Sequence, residues 1–219
     1  NCNFTTMLTI KTFTFNPYQE NTYLLYNESG NAIIIDPGMY GEQDQQELLA
    51  FIANNKLKPA LLLNTHCHID HVLGNSFVHE KFGLLPQFHE GEVPILVAVQ
   101  NYAPQMGIRY DISPIGETFL NEDDTIHLDD DELTVILAPG HSPAHICLYS
   151  ADQKFLIGGD VLFRNSIGRT DLPGGNHQHL LDSIKTKLYT LPDDTIVYPG
   201  HGPSTTIGFE KNSNPFIRG

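Results

Sequence analysis

The chain has 219 residues, with 12 Lys+Arg against 26 Asp+Glu and a formal charge of −14. That balance argues against nucleic acid as the main partner and against docking on an anionic membrane, because Lys and Arg supply most of both affinities. With 40% hydrophobic and 17% charged residues, the composition is that of a folded globular chain and not a disordered one.

Residues 8–15 are rich in β-branched and aromatic side chains and predict a strand; a second follows at 22–26 after the Asn16-Pro17 turn. Residues 27–31 form a hairpin turn. The apolar run 32–35 is too short for a helix and ends in the turn-forming Asp36-Pro37-Gly38. From Glu42 to Lys56 the period becomes helical, with Leu48, Phe51, Ile52 and Asn55 on one stripe before Lys58-Pro59. Leu61-Leu62-Leu63 reads as a buried strand. Helices are predicted at 71–82 and 92–105, the second interrupted by Pro94 and Pro104, with a loop-like stretch at 106–125. Strands return at 133–137, 145–149, 154–157 and 195–198; a helix carrying Leu180, Leu181, Ile184 and Leu188 separates the last two. This order fits a two-sheet core covered by helices better than a regular βαβ series. Residues 7–219 read as one domain, and residues 1–6 as an upstream extension without the features of a signal peptide. The apolar run 94–99 is too short to span a bilayer. Three scattered cysteines, Cys2, Cys67 and Cys147, make no CxxC pair and suit a reducing, cytoplasmic setting.

Eleven histidines nearly equal all Lys and Arg together. Six residues, His66-Cys67-His68-Ile69-Asp70-His71, follow directly on the buried strand at 61–63. At spacing i, i+2, His66 and His68 project to the same side of an extended segment and could hold one cation together. Asp70 and His71 lie where the chain turns into a helix, point in different directions, and suit a second, neighbouring cation. Imidazole and carboxylate without thiolate favour Zn, Fe or Mn. The placement recurs: strand 133–137 leads to His141, strand 154–157 to Asp160, and strand 195–198 to His201, each beside small Gly or Pro neighbours. A polar surface loop would explain the hexapeptide alone, but not three further strand ends of the same kind.

Thr65-His66-Cys67-His68-Ile69-Asp70-His71 resembles the HxHxDH motif of the metallo-β-lactamase-fold hydrolases, and His141, Asp160 and His201 match its later ligand positions. The resemblance covers essentially all of 7–219 and implies an α/β fold, a four-layered αββα sandwich with the metal site at one edge of the sheets. It implies that His66, His68 and His141 hold a first metal, that Asp70, His71 and His201 hold a second, and that Asp160 bridges them. True β-lactamases lack that bridging aspartate. The segments 166–171 and 202–208 resemble the short bacterial members of the glyoxalase II group, hydroxyacylglutathione hydrolase-like thioesterases. Where long glyoxalase II enzymes place a lysine and a tyrosine against glutathione, this chain has Arg169 and Asp171, and the chain as given lacks their helical C-terminal domain.

Two dications, most simply Zn, would share a hydroxide that attacks the carbonyl of a small-molecule thioester. Asp70 would orient that hydroxide, and Arg169 would pair with a substrate carboxylate. A thiol, with a pKa of ~8.5, leaves without a dedicated acid. The alternative is a mononuclear iron persulfide dioxygenase, whose members carry a segment similar to Gly168-Arg169-Thr170-Asp171. Among the remaining polar residues, His145 is expected to support the ligands or pack in the core. His177 and His179 read as a solvated helix start, and His79, His89 and His127 as surface or partly buried residues. Cys67 should point away from the metals, by the alternation that aims its neighbours inward.

Overall fold

A computed structural model describes residues 7–219; the reading of 1–6 lies outside the described residues. The first sheet runs β1 (Thr9–Phe15), β2 (Glu20–Tyr26), β3 (Asn31–Ile35), β4 (Lys58–Leu63) and β5 (Pro86–Gln87), in that spatial order. The β1–β2–β3 meander is antiparallel, and β3, β4 and β5 are parallel. The second sheet is built from β6 (Thr125–Leu128), β7 (Asp131–Leu137), β8 (Ile146–Ser150), β9 (Phe155–Gly159), β12 (Ile196–Pro199) and β13 (Thr205–Thr206), with only β9 and β12 parallel to each other. A small hairpin, β10 (Leu162–Phe163) and β11 (Ser166–Ile167), stands apart from both.

Alternation along the strands sorts the apolar side chains into three layers of contact. Ile33, Ile35 and Leu63 face Leu133, Val135, Ile146, Leu148 and Ile157 between the two sheets. On the other side of the first sheet, Ala32, Ile34 and Leu62 meet Leu48 and Ile52 of α1 (Glu42–Asn54) and Val78 of α3 (Asn75–Phe82). Cys147, Leu156 and Val197 meet Leu180 and Ile184 of α5 (His177–Thr186) on the far side of the second. The central strands are covered on both faces, which is why they read as continuous apolar runs. The result is the αββα sandwich. Among the described residues no helix is long and apolar enough to cross a membrane.

Several expected elements differ in detail. The helix expected at 71–82 is two pieces, α2 (Ile69–Val72) and α3, parted at Leu73-Gly74. Gly74 packs so closely that a Cβ would lie 2.7 Å from both the Pro37 carbonyl and the Met39 side chain. In the 92–105 segment Pro94 falls in the first turn of α4 (Val93–Tyr102), where its missing N–H costs nothing, and Pro104 falls in a following 3₁₀ turn. Asn55 is not on the buried stripe of α1; it is exposed, and its amide donates back to the Phe51 carbonyl. The short β5, β6, the β10–β11 hairpin, β13 and α6 (Ile207–Ser213) carry too few residues for periodicity to reveal them.

Candidate metal centre

Both sheets deliver their ligand-type residues to one edge. His66 and His68 follow β4 in extended chain, His68 caps α2, and Asp70 and His71 lie within that helix. From the second sheet, His141 follows β7, Asp160 follows β9 and His201 follows β12. Gly200 permits a close approach, since a Cβ there would collide with Asp160 Oδ1 and lie 2.8 Å from His71 Cε1.

Two triads of ligand atoms result. His66, His68 and His141 each offer an atom within 4.8 Å of the others, and so do Asp70, His71 and His201. Asp160 stands between the triads: one carboxylate oxygen lies 3.5 Å from His71 Nε2, and the other lies 3.5 Å from both His141 Nε2 and His201 Nε2. Three buried atoms facing this space, His66 Nε2, His71 Nε2 and Asp160 Oδ1, have no hydrogen-bond partner among the described residues. Orphaned polar atoms this deep are costly in the absence of a cation, so the donor set fits divalent metal.

The opposite ring nitrogens are tied down, which selects the tautomers. His141 Nδ1 donates to the Arg169 carbonyl at 2.8 Å, and His201 Nδ1 donates to the Tyr18 carbonyl at 3.1 Å. His71 Nδ1 faces Asp36 Oδ2 at 3.1 Å. The Thr65 hydroxyl donates to that same carboxylate at 2.6 Å, leaving its lone pair for His66 Nδ1 at 3.1 Å. Each of these rings therefore turns Nε2 inward. A third set, Asp36, His66 and His71, also lies within 4.8 Å, but the Asp36 oxygens are committed to the Thr65 hydroxyl and the Thr65 N–H.

Among themselves, the two triads differ in charge. Burial, reinforced by the neighbouring imidazoles, pulls His66 well below its ordinary value and His68 down to about 4. Burial also pulls His71 and His201 down, but Asp70 and Asp160 outweigh it, and both imidazoles are held above the usual range. In return His71, His141 and His201 overcome the burial of Asp160 and hold its carboxyl well below the usual carboxylate range.

Three polar groups escaped the sequence reading. Asp36 registered only as turn chemistry. Glu92 is fully buried and accepts from the Cys67 N–H, the Ser142 hydroxyl and the Ala144 N–H, at 2.6–3.0 Å. It thereby braces the His68 loop against the His141 loop. Glu20, also buried, has an unpartnered oxygen 3.9 Å from His71 Nδ1, and burial raises its carboxyl well above the usual range. None has a local pattern that marks it, and each approaches the centre from far away in sequence. His145 is a supporting residue: its Nε2 accepts the Asp160 N–H at 3.0 Å, and its ring stacks on His66. Cys67 points into the apolar cluster around α4. His177 and His179 are exposed at the start of α5, where Asn176 supplies the cap.

The centre opens into a cavity of about 870 Å³. Its walls are mostly apolar, with Ile95, Ala98 and Tyr102 of α4, Met106, and Ile167 of β11. Arg169 lines it too, but its guanidinium forms two 2.7 Å bonds to the Asp171 carboxylate.

The family model described as the metallo-beta-lactamase superfamily matches residues 15–201. The chain belongs to the metallo-β-lactamase superfamily. Within it, the chain is 37% identical to the probable metallo-hydrolase YqgX of Bacillus subtilis, over 93% of this chain and 94% of that one. It is also 37% identical to the hydroxyacylglutathione hydrolase GloC of Haemophilus influenzae, over 91% and 93%. Solved superfamily structures similar to it include the BLEG-1 B3 metallo-β-lactamase, at 36% identity, a TM-score of 0.88 and coverage of 96% and 100%. TTHA1623 in a di-iron-bound form follows, at 36% identity, 0.84, and 94% and 100%. ETHE1 from Myxococcus xanthus is similar at 25% identity, 0.77, and 94% and 83%.

Proposed function

We propose that this metallo-hydrolase binds two divalent ions and cleaves a thioester of a small thiol, in the manner of the glyoxalase II group, with residues 7–219 acting as one domain. The observation that carries the reading is the Asp160 carboxylate set between two complete triads, with inward-facing atoms on both sides left unpartnered. His66, His68 and His141 would hold one ion, Asp70, His71 and His201 the other, and Asp160 would touch both. When bound, such a pair supplies Lewis acidity and lowers the pKa of a coordinated water from ~15.7 toward neutrality. The chain's own part is orientation. Asp70, whose Oδ2 lies 3.1 Å from His201 Nε2, would accept a proton from the attacking water and fix its direction.

The cavity supports the thioester over an amide. Apart from the proposed ligands, its titratable side chains are Tyr18, Tyr102, Arg164 and Arg169. None is a carboxylic acid or an imidazole, and burial pushes the Tyr102 phenol up to about 12. A leaving group that departs unprotonated suits such a site, and a thiolate does so where an amine does not. GloC, by its name, acts on a thioester of this class. Zinc is the simplest occupant, and iron or manganese also suits imidazole and carboxylate donors. The free, buried Cys67 and Cys147 support a cytoplasmic setting.

The segment 168–171 favours a second reading, the mononuclear iron persulfide dioxygenase, and the name of BLEG-1 adds β-lactam hydrolysis as a competitor. The test is to quantify bound metals in protein purified without added metal and, on the same sample, to follow lactoyl-glutathione, lactoyl-coenzyme A, simpler acyl thioesters, a persulfide and a chromogenic cephalosporin. Two ions per chain with thioester turnover is the expected result. One iron with oxygen consumption on the persulfide, or cephalosporin turnover without thioester turnover, overturns the proposal.

A further inference from the structure

The cavity carries two arginines, and their situations are opposite. Arg169 is closed on Asp171. Arg164 sits at the turn between β10 and β11 and makes no ion pair among the described residues; its guanidinium lies over the Phe209 ring, 5.4 Å from the centroid. Among the described residues the only carboxylates on the cavity wall are Asp70 and Asp160, both in the metal centre. The outer cavity of a protein with formal charge −14 is therefore apolar, with one uncommitted cation at its rim.

The turn that carries Arg164 is built, not loose. Buried Glu210 of α6 accepts from the Asn165 N–H at 3.1–3.2 Å and from the Asn214 amide at 2.7 Å, and the Asn214 amide donates to the Ser166 carbonyl at 3.0 Å. A carboxylate buried away from water is expensive unless it is fully used, and here it fixes both sides of the turn. Phe163, next to Arg164, lies edge-on to the His201 ring, with centroids 6.3 Å apart. The turn and the metal centre thus share one wall.

On the thioesterase reading above, we propose that Arg164 is the specificity-determining residue for a substrate with an apolar body and one terminal carboxylate. The body would lie along Ile95, Ala98, Met106 and Ile167, and the carboxylate would take the planar guanidinium by two parallel hydrogen bonds. The stack on Phe209 holds that plane in place without consuming its donors.

The experiment uses the metal-loaded full chain and a matched pair, S-benzoyl-3-mercaptopropionate and its methyl ester. Wild type prefers the acid. Arg164→Gln, which keeps most of the stem over Phe209, lowers that preference about tenfold, through KM and not kcat. Arg164→Lys restores part of it, since charge returns without the fork. An unchanged preference in Arg164→Gln, or a loss at least as large in Arg169→Gln, overturns the assignment. Calorimetry with the non-hydrolysable thioether S-benzyl-3-mercaptopropionate separates the two levels of the argument. If wild type hydrolyses neither member of the pair and none of the thioesters named above, the thioesterase reading fails, and Arg164 stands or falls on whether Arg164→Gln weakens thioether binding about tenfold or leaves it equal.

Discussion

The Asp36 carboxylate faces His71 Nδ1 at 3.1 Å and receives the Thr65 hydroxyl at 2.6 Å, and that hydroxyl in turn backs His66. One anion outside both triads therefore aims a ring in each. Asp36→Asn should keep the backbone, because asparagine tolerates the left-handed φ of 50° found there, while removing the charge. We expect divalent metal affinity to fall about 10- to 100-fold, measured by competition with a chromogenic chelator, with the melting temperature of the metal-free protein little changed.

Glu92 gives a contrasting outcome. Replacing it with alanine strands three buried donors, Cys67 N–H, Ser142 Oγ and Ala144 N–H. A loss of about 3 kcal/mol is expected in urea unfolding, in the presence of chelator as well as without it. A loss seen only with metal present would mean that Glu92 serves the ions and not the fold.

Gly200→Ala tests the packing around Asp160. The new methyl group would collide with Asp160 Oδ1 and crowd His71. Activity should drop about hundredfold while the circular dichroism spectrum stays native, since a displacement near 1 Å at a reacting centre has that effect. An alanine variant with full turnover would show that Asp160 need not sit where it does.

The unequal protonation of the two triads predicts unequal loading with pH. Burial pulls His68 down to about 4 and His66 well below its ordinary value, so both stay neutral lone-pair donors in mild acid. His71 and His201 are raised, stay protonated further up the scale, and must release protons before they can ligate. Lowering the pH therefore protonates His71 and His201 before His66 and His68. Metal content measured between about pH 5 and about pH 8 should rise from near one ion per chain toward two. Simultaneous loss of both ions on acidification would contradict this.

Much of the centre was legible because its residues share a local rule: they stand just after apolar strands, beside Gly or Pro. His141, Asp160 and His201 carry both marks, and His66 and His68 carry the first, at the end of the apolar run 61–63. Asp36 carried it too, at the end of β3, yet a lone aspartate in Asp36-Pro37-Gly38 reads equally well as a turn. Glu92 gave no sign because its partners lie 25 to 52 residues away in the chain, and Glu20 gave none because His71, the ring it approaches, lies 51 residues on. The layered fold followed from runs such as 32–35 and 61–63, whereas the two-residue strands of the β10–β11 hairpin leave no period to read. Arg169 illustrates the remaining gap. Its charge was visible, but its capture by Asp171 depends on side-chain geometry that no spacing encodes.

Each triad draws on both halves of the sandwich: His66 and His68 from the first sheet meet His141 from the second, and Asp70 and His71 meet His201. A bound ion is therefore a cross-link between sheets as much as an equipment of the cleft. Ligand that binds only the native state adds about 2.7 kcal/mol when present at 100 times its dissociation constant, a large share of a typical domain's stability. Metal supply would then govern how long the chain survives proteolysis as well as how fast it works, so that starvation for the ion would thin the pool of protein before it exposed an idle one.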